Sequence, residues 1–337
     1  MSTVKILSRK EVKELLKMKE VIEVVQEVYK MKSQSMTDVW PTVFYDFVKG
    51  KADMDIKSGY LKSKKCFGHK TVTWFSENEK IGIETLNGII TVFDSETGIP
   101  IGITDSAYIT GIRTGASGAL GAKYLARENS EKLLVVGAGN QAFFQIGAIL
   151  TLIPTIKSVK ISSLDKGKTI QFIEQAKVSL KQYFDIKTEN IQFEVVEDLE
   201  SEVKQSDIII TVTPSRRPII KADWVSKGTH ISCIGSDMEG KQEIESSIFK
   251  NATVFVDDIN QAINVGEIEI PIKEGMLNRK DIYSEIGDLI LRGIKGRKAE
   301  DEITIFDATG MALLDIAVAK KVLEKANELN VGISVEI

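Results

Sequence analysis

Histidine and cysteine are scarce in this chain, with two of each in 337 residues. That scarcity excludes a structural zinc site built from its usual ligands, so no metal is expected. Cys66 and Cys233 are far apart and sit in apolar or mixed surroundings, which excludes a disulfide framework and points to a reducing compartment. Long apolar runs are missing too. The stretch 146–153 is too short to span a bilayer and stops at Pro154, and residues 1–10 lack the apolar core of a signal peptide. The expectation is a cytoplasmic protein with no membrane partner. Nor does one sign of charge dominate: 44 Lys and Arg stand against 48 Asp and Glu, interspersed, for a net charge of -4. No basic face is available to neutralise a phosphate backbone, so nucleic acid is not an expected partner. What is present, 43% hydrophobic and 27% charged residues, suits an ordinary globular chain long enough for two domains, one of them inserted in the other.

The order of elements supports that division. Ser8 and Glu11 form a capping-box pattern ahead of Val12, Leu15, Leu16, Val21, Ile22, Val25 and Val28 at near-helical spacing, which predicts an N-terminal helix in one or two pieces. Residues 42–105 change character: 70–75 alternates, and 88–94 and 99–105 flank the turn signal Ser95-Glu96-Thr97-Gly98, which reads as antiparallel sheet. Residues 107–126, rich in Ala, Gly and Leu, predict a closely packed helix and a boundary near Glu128. Strand-like runs then recur at 132–139, 159–163, 191–196, 208–213, 230–235, 254–257 and 303–306, several separated by helical patterns such as 141–153 and 169–184. Such alternation implies a parallel sheet with helices on both faces. An amphipathic helix over 311–329 follows, and there is no internal repeat or low-complexity segment.

The sharpest local feature is Gly137-Ala138-Gly139-Asn140-Gln141-Ala142, directly after the run Leu133-Leu134-Val135-Val136 and before a helical stretch. Gly137 permits a tight turn, Gly139 lets a pyrophosphate approach the backbone, and Ala142 allows close helix–sheet packing. The bland alternative is a merely tight turn. Asp165, after the second strand, could accept hydrogen bonds from an adenosine ribose and favours NAD, whereas Lys166 and Lys168 could hold a 2′-phosphate and leave NADP open. Thr211 and Thr213 end a further strand at the sheet's carboxyl edge.

Three further residues can carry substrate chemistry. Arg113, among small residues, suits bidentate capture of a carboxylate. Strand alternation sends Lys70 to the face opposite His69; an inward lysine would need an anion, and the alternative is a solvated lysine. Asp237, just past the end of a parallel strand, could move protons on a substrate amine with Lys241 holding it ionised, or could simply cap a following helix. His69 and His230 read as bystanders.

In this order, Gly68-His69-Lys70-Thr71-Val72, Ile112-Arg113-Thr114, Gly137-Ala138-Gly139-Asn140-Gln141-Ala142, Ile209-Ile210-Thr211-Val212-Thr213, Asp237-Met238-Glu239-Gly240-Lys241-Gln242-Glu243, Glu285-Ile286-Gly287-Asp288-Leu289 and Phe306-Asp307-Ala308-Thr309-Gly310-Met311-Ala312 resemble the ornithine cyclodeaminase/mu-crystallin family across nearly the whole chain. The resemblance implies an α/β fold in which a Rossmann-type parallel-sheet domain, residues 128–311, is inserted into an α+β substrate-binding and dimerisation domain, residues 1–127 with 312–337. It also implies homodimers paired through the N-terminal sheet. By the same resemblance, Lys70 and Arg113 hold a substrate α-carboxylate with Thr85 nearby, and Lys70 and Asp237 are catalytic, Asp237 as acid/base. Gly137, Gly139, Asn140, Gln141, Asp165, Thr211, Thr213, Lys241 and Gly310 line the cofactor. An arginine common in the family ahead of the sheet is missing from residues 38–47, which leaves Lys57 to reorganise carboxylate binding. Asp53 and Asp55 both stand as candidates to meet a distal amine.

The leading expectation is an ornithine cyclodeaminase-like, NAD-dependent conversion of L-ornithine or a related amino acid to L-proline and ammonia through an imine. The alternatives are an alanine or amino-acid dehydrogenase or a cyclic imine reductase using NAD(P), and a crystallin-like protein that binds a small ligand without turnover.

Overall fold

The computed structural model describes residues 3–337. The chain divides into two compact units, Met1–Arg113 with Met311–Ile337, and Thr114–Gly310.

In the first unit Ser8 and Glu11 close the capping box, with the Ser8 N–H donating to Glu11 at 2.8 Å. The helical segment comes in two pieces, Arg9–Leu15 and Met18–Ser33, because Leu16 is extended. An eight-stranded sheet runs in the order Ile333–Glu336, Thr3–Leu7, Pro100–Asp105, Leu86–Asp94, Cys66–Phe75, Ala52–Leu61, with Thr37–Val39 and Val43–Val48 both pairing the last of these. Only the pairing of Thr3–Leu7 with Pro100–Asp105 is parallel. The helix Ala312–Glu328 lies against the sheet with Leu313, Leu314, Val318 and Val322 fully buried. Close approach is possible because Gly59 has no side chain: a Cβ there would come within 2.8 Å of Leu313. All six residues of Val43–Val48 are exposed, including Phe44, Tyr45 and Phe47.

The second unit holds eight parallel strands in the order Gln192–Val195, Ser158–Ser162, Lys132–Val136, Ile208–Thr211, His230–Cys233, Ile303–Asp307, Ala252–Val256, Ile282–Glu285. The central strands are buried on both faces; residues 133–136 and 208–210 are continuous apolar runs, while His230, Ser232 and Thr304 are buried polar residues of the two strands beside them. Strand order reverses between Lys132–Val136 and Ile208–Thr211, the topological switch point at which such sheets place ligands.

The division between units runs through the helix Ala107–Leu125, not after it near Glu128. Its second half packs within the second unit: Gly115 lies against Phe144 and Gly121 against the Phe306 ring, while Gln145 Nε2 donates to the Thr114 carbonyl at 2.9 Å. The small residues that predicted a tightly packed helix therefore belong to the Rossmann core.

Candidate functional site

The first unit gathers two buried cations around one buried anion. Lys70 is 4% exposed and its Nζ lies 3.1 Å from Asp315 Oδ2; Arg113 is 6% exposed and its Nε lies 3.0 Å from Asp315 Oδ1. Thr110 Oγ1 adds hydrogen bonds to Lys70 and Asp315. Burial lowers the Lys70 pKa to about 8, with the Asp315 charge opposing that shift and Arg113 and Lys57 reinforcing it. For Asp315, burial pushes upward, but Arg113 and Lys70 outweigh it and hold the carboxyl below its ordinary value. The cluster thus keeps one net positive charge at neutral pH. Arg113 spends only Nε on Asp315, so its two Nη nitrogens have no partner among the described residues. A fork of that kind is shaped for a carboxylate.

Neighbouring positions sort by strand register. Lys57 is directly opposite Lys70, so residues 53, 55 and 57 share its face. Of the two acids, Asp55 is the one whose charge is felt at Lys70. Asp53 lies opposite Trp74 and has its pKa raised by burial and then by Asp46 and Asp55. Thr85 does not join the cluster. Its carbonyl accepts from the Phe75 N–H, whereas Lys70 pairs with Ile90, and the run from 85 to 90 at roughly 3.3 Å per residue keeps them apart.

In the second unit the glycine turn has the expected strand and helix on either side. Gly137 takes φ +123°, and a Cβ there would meet the Val212 carbonyl at 2.7 Å. Gly139 precedes the helix Asn140–Leu152 with no side-chain cap, and nothing lies within 4 Å of where its Cβ would be. A helix N-terminus opening on such space fits a pyrophosphate. Asn140 is exposed on the first turn, Gln141 follows half-buried, and Ala142 is fully buried. Asp165 caps the helix Lys166–Phe184, accepting from the Lys168 N–H at 3.0 Å, while Lys166 is drawn to Glu197. Thr211 is buried at the end of its strand; Thr213 donates through both N–H and hydroxyl to Glu243. Gly310, at φ +82°, donates to Asp257 at 2.8 Å.

Asp237 does not cap a helix, since the segment that follows it is a turn leading to the strand Gln242–Ile244. Its Oδ1 lies 2.6 Å from Lys241 Nζ, which also donates to the Gly235 carbonyl at 3.3 Å. The Asp237 side chain is 49% exposed, a carboxyl group with solvent access and the Lys241 ammonium beside it. His230 is sequestered between Thr304 and Ser232, and burial lowers its pKa to about 3, so it stays neutral. No helix among the described residues is long and apolar enough to cross a membrane, and none of their His, Cys, Asp and Glu residues cluster as a metal site.

A family model described as ornithine cyclodeaminase/mu-crystallin matches residues 3–330. The chain belongs to that family. Alanine dehydrogenase from Archaeoglobus fulgidus is 35% identical over 332 residues, covering 97% of this chain and 96% of its own. Among solved structures, an archaeal alanine dehydrogenase dimer with bound NAD matches with TM-score 0.90 at 34% identity over 100% of both chains. The structure of Thermococcus litoralis Δ1-pyrroline-2-carboxylate reductase with NADH and L-proline matches with TM-score 0.90 at 29% identity, over 98% of this chain and 100% of the other.

Two groups of residues at these sites escaped the sequence reading of this family member. Asp315 was legible as a signal, a lone charge among Leu313, Leu314, Ile316 and Ala317 in an apolar helix. Glu243 closes the motif that begins at Asp237 but was given no role, and Glu267 carried no mark; both are fully buried.

Proposed function

We propose that the chain is an NAD-dependent enzyme acting at the Cα–N bond of a small α-amino acid or its imine, as a dehydrogenase or cyclic imine reductase. The observation that carries this is the surplus positive charge of Lys70 and Arg113 over Asp315, with both Arg113 Nη nitrogens unspent in a buried setting. Arg113 binds the substrate carboxylate through that fork, and Lys70 adds charge and fixes its orientation. For Asp237, hydrogen-bonded to Lys241, the proposed role is proton exchange with the substrate nitrogen. Gly137 and Gly139, with Asn140 and Gln141 on the first helical turn, hold the dinucleotide, and Asp165 meets its ribose, with Thr211, Thr213, Lys241 and Gly310 completing the cofactor site. Lys166 is occupied by Glu197, which favours NAD over NADP. When bound, the nicotinamide accepts hydride from Cα or returns it. The names of the similar proteins, alanine dehydrogenase and Δ1-pyrroline-2-carboxylate reductase, support this reading.

A second reading is redox-neutral cyclodeamination of ornithine, favoured by Asp55, whose carboxylate lies on the Lys70 face where a distal ammonium of the substrate would need a counter-charge. Assays of alanine, ornithine, lysine and Δ1-pyrroline-2-carboxylate with each cofactor, following NADH absorbance and ammonia separately, test both. Net NADH change supports the first reading; ammonia release without it supports the second; neither from any substrate removes enzymatic function and leaves a ligand-binding protein. We further propose that two copies pair through the exposed apolar strand Val43–Val48, in a cytoplasmic homodimer. Sedimentation of the wild type beside a Phe44→Glu, Phe47→Glu variant tests the pairing, and a monomeric wild type would remove it.

A further inference from the structure

Two buried glutamates lie behind the loop that carries Asp237. Glu243 Oε1 accepts from the Thr213 N–H at 2.6 Å and the Thr213 hydroxyl at 2.8 Å, and its Oε2 accepts from the Gly235 N–H at 2.9 Å. Glu267 Oε1 accepts from the Glu243 and Ile244 N–H groups, each at 2.7 Å, and its Oε2 is hydrogen-bonded to the Ser236 hydroxyl. Both residues are 0% exposed. Between them they tie the ends of two parallel strands to the strand Gln242–Ile244, on either side of the Asp237–Lys241 pair.

The donor pattern separates the two. A backbone N–H cannot reverse, and one faces each oxygen of Glu243, whereas Glu267 Oε2 meets a hydroxyl alone. A hydroxyl can either donate or accept, so Glu267 Oε2 can carry a proton and donate it to Ser236. We infer that Glu243 and Glu267 are a one-proton, one-charge brace that positions the Asp237 loop, with Glu243 ionised and Glu267 neutral. Two adjacent buried carboxylates resist double ionisation, and burial together with the Glu243 charge pushes the Glu267 pKa up to about 8. Burial also raises Glu243, but the bonds from Thr213 and Gly235 draw it back. The positioning role rests on the proposed activity, because it is Asp237 chemistry that the brace serves.

The test uses the isosteric variants Glu267→Gln and Glu243→Gln in the full chain. A glutamine at 267 keeps an acceptor for the two N–H groups and an amide donor for Ser236, so kcat stays within about twofold and only the Glu267 share of the protonated-carboxyl infrared absorption is lost. A glutamine at 243 sets its NH2 against an N–H, so amide exchange at Thr213 or Gly235 quickens and kcat falls about tenfold or more with KM changed less. In that variant the Glu267 band also titrates at lower pH. Equal effects of the two substitutions, or the same protonated-carboxyl absorption in the wild type and Glu267→Gln at neutral pH, would overturn the brace. If Glu243→Gln fails to fold, the band in the wild type and its loss in Glu267→Gln still decide. If the wild type turns over no substrate, the exchange and infrared results stand apart from the failure of the proposed activity.

Discussion

Lys70 and Asp315, 245 positions apart in sequence, meet at 3.1 Å in a part of the first unit that excludes water almost completely. Arg113 closes the same carboxylate from its other oxygen. Asp315 is therefore the shared counter-ion of two buried cations, and its removal leaves both uncompensated. Asp315→Asn is expected to cost about 3–5 kcal/mol, read as a lower urea midpoint. A loss under about 1 kcal/mol would mean that the cluster is effectively solvated.

Asp237→Asn should preserve the fold and the affinity for NADH, because Asp237 is half exposed and braces nothing in the nucleotide turn. Turnover should fall by about 10²- to 10⁴-fold, measured as kcat with saturating cofactor. Unimpaired turnover removes Asp237 from the mechanism.

The two turn glycines should fail in different ways. Gly137→Ala places a Cβ 2.7 Å from the Val212 carbonyl at φ +123°, so thermal stability falls by about 1–3 kcal/mol even without cofactor. Gly139→Ala meets no protein atom within 4 Å, so the melting temperature of the cofactor-free protein is unchanged while NADH affinity, followed by fluorescence titration, drops. A tight-binding Gly139→Ala variant would argue that no pyrophosphate approaches this backbone.

Glu267 predicts a pH dependence of stability with a definite sign. Its folded pKa of about 8 lies above the ordinary 4.5, so the folded state holds a proton that the unfolded state has released across that window. Stability from this group is fully present below about 4.5 and is lost as pH rises through about 8. The titratable groups around it, Glu243, Asp307 and Cys233, all have pKa values raised by burial and add no compensating positive charge. Urea midpoints measured across that range should therefore decline with pH in the wild type and decline less in Glu267→Gln. Equal slopes in the two proteins would place the proton elsewhere.

What could be read from the sequence was whatever leaves a local signature. The turn was legible because Gly137 takes a conformation that a Cβ would strain and Gly139 leaves its backbone open to a ligand, and strand alternation put Lys70 on the face opposite His69 without deciding whether that face was inward. That an inward lysine needs an anion was legible too, but not which anion, since Asp315 reaches it only through the packing of Ala312–Glu328 on the sheet. Thr85 shows the reverse case: the resemblance placed it with the substrate, while strand register carries it to the far end of the ladder from Lys70. The strands Thr3–Leu7 and Ile333–Glu336 were missed because each is short and finds its partner at the opposite end of the chain. Glu243 was legible only as the end of the motif that begins at Asp237 and Glu267 not at all, and only the fold turns them into buried acceptors.

The split of the first unit around the second has a consequence for how the protein is made. Residues 114–310 are contiguous, so the parallel sheet can be completed on the ribosome as it emerges. Lys70 and Arg113 are synthesised long before residues 311–337, and until that segment arrives they have no Asp315 to neutralise them and the strand Thr3–Leu7 lacks one neighbour. Assembly of the anion-binding unit is thereby deferred until residues 311–337 have been made, and a ribosome that stops near codon 310 releases a chain whose nucleotide fold is whole but whose Lys70 and Arg113 lack the helix that covers and neutralises them.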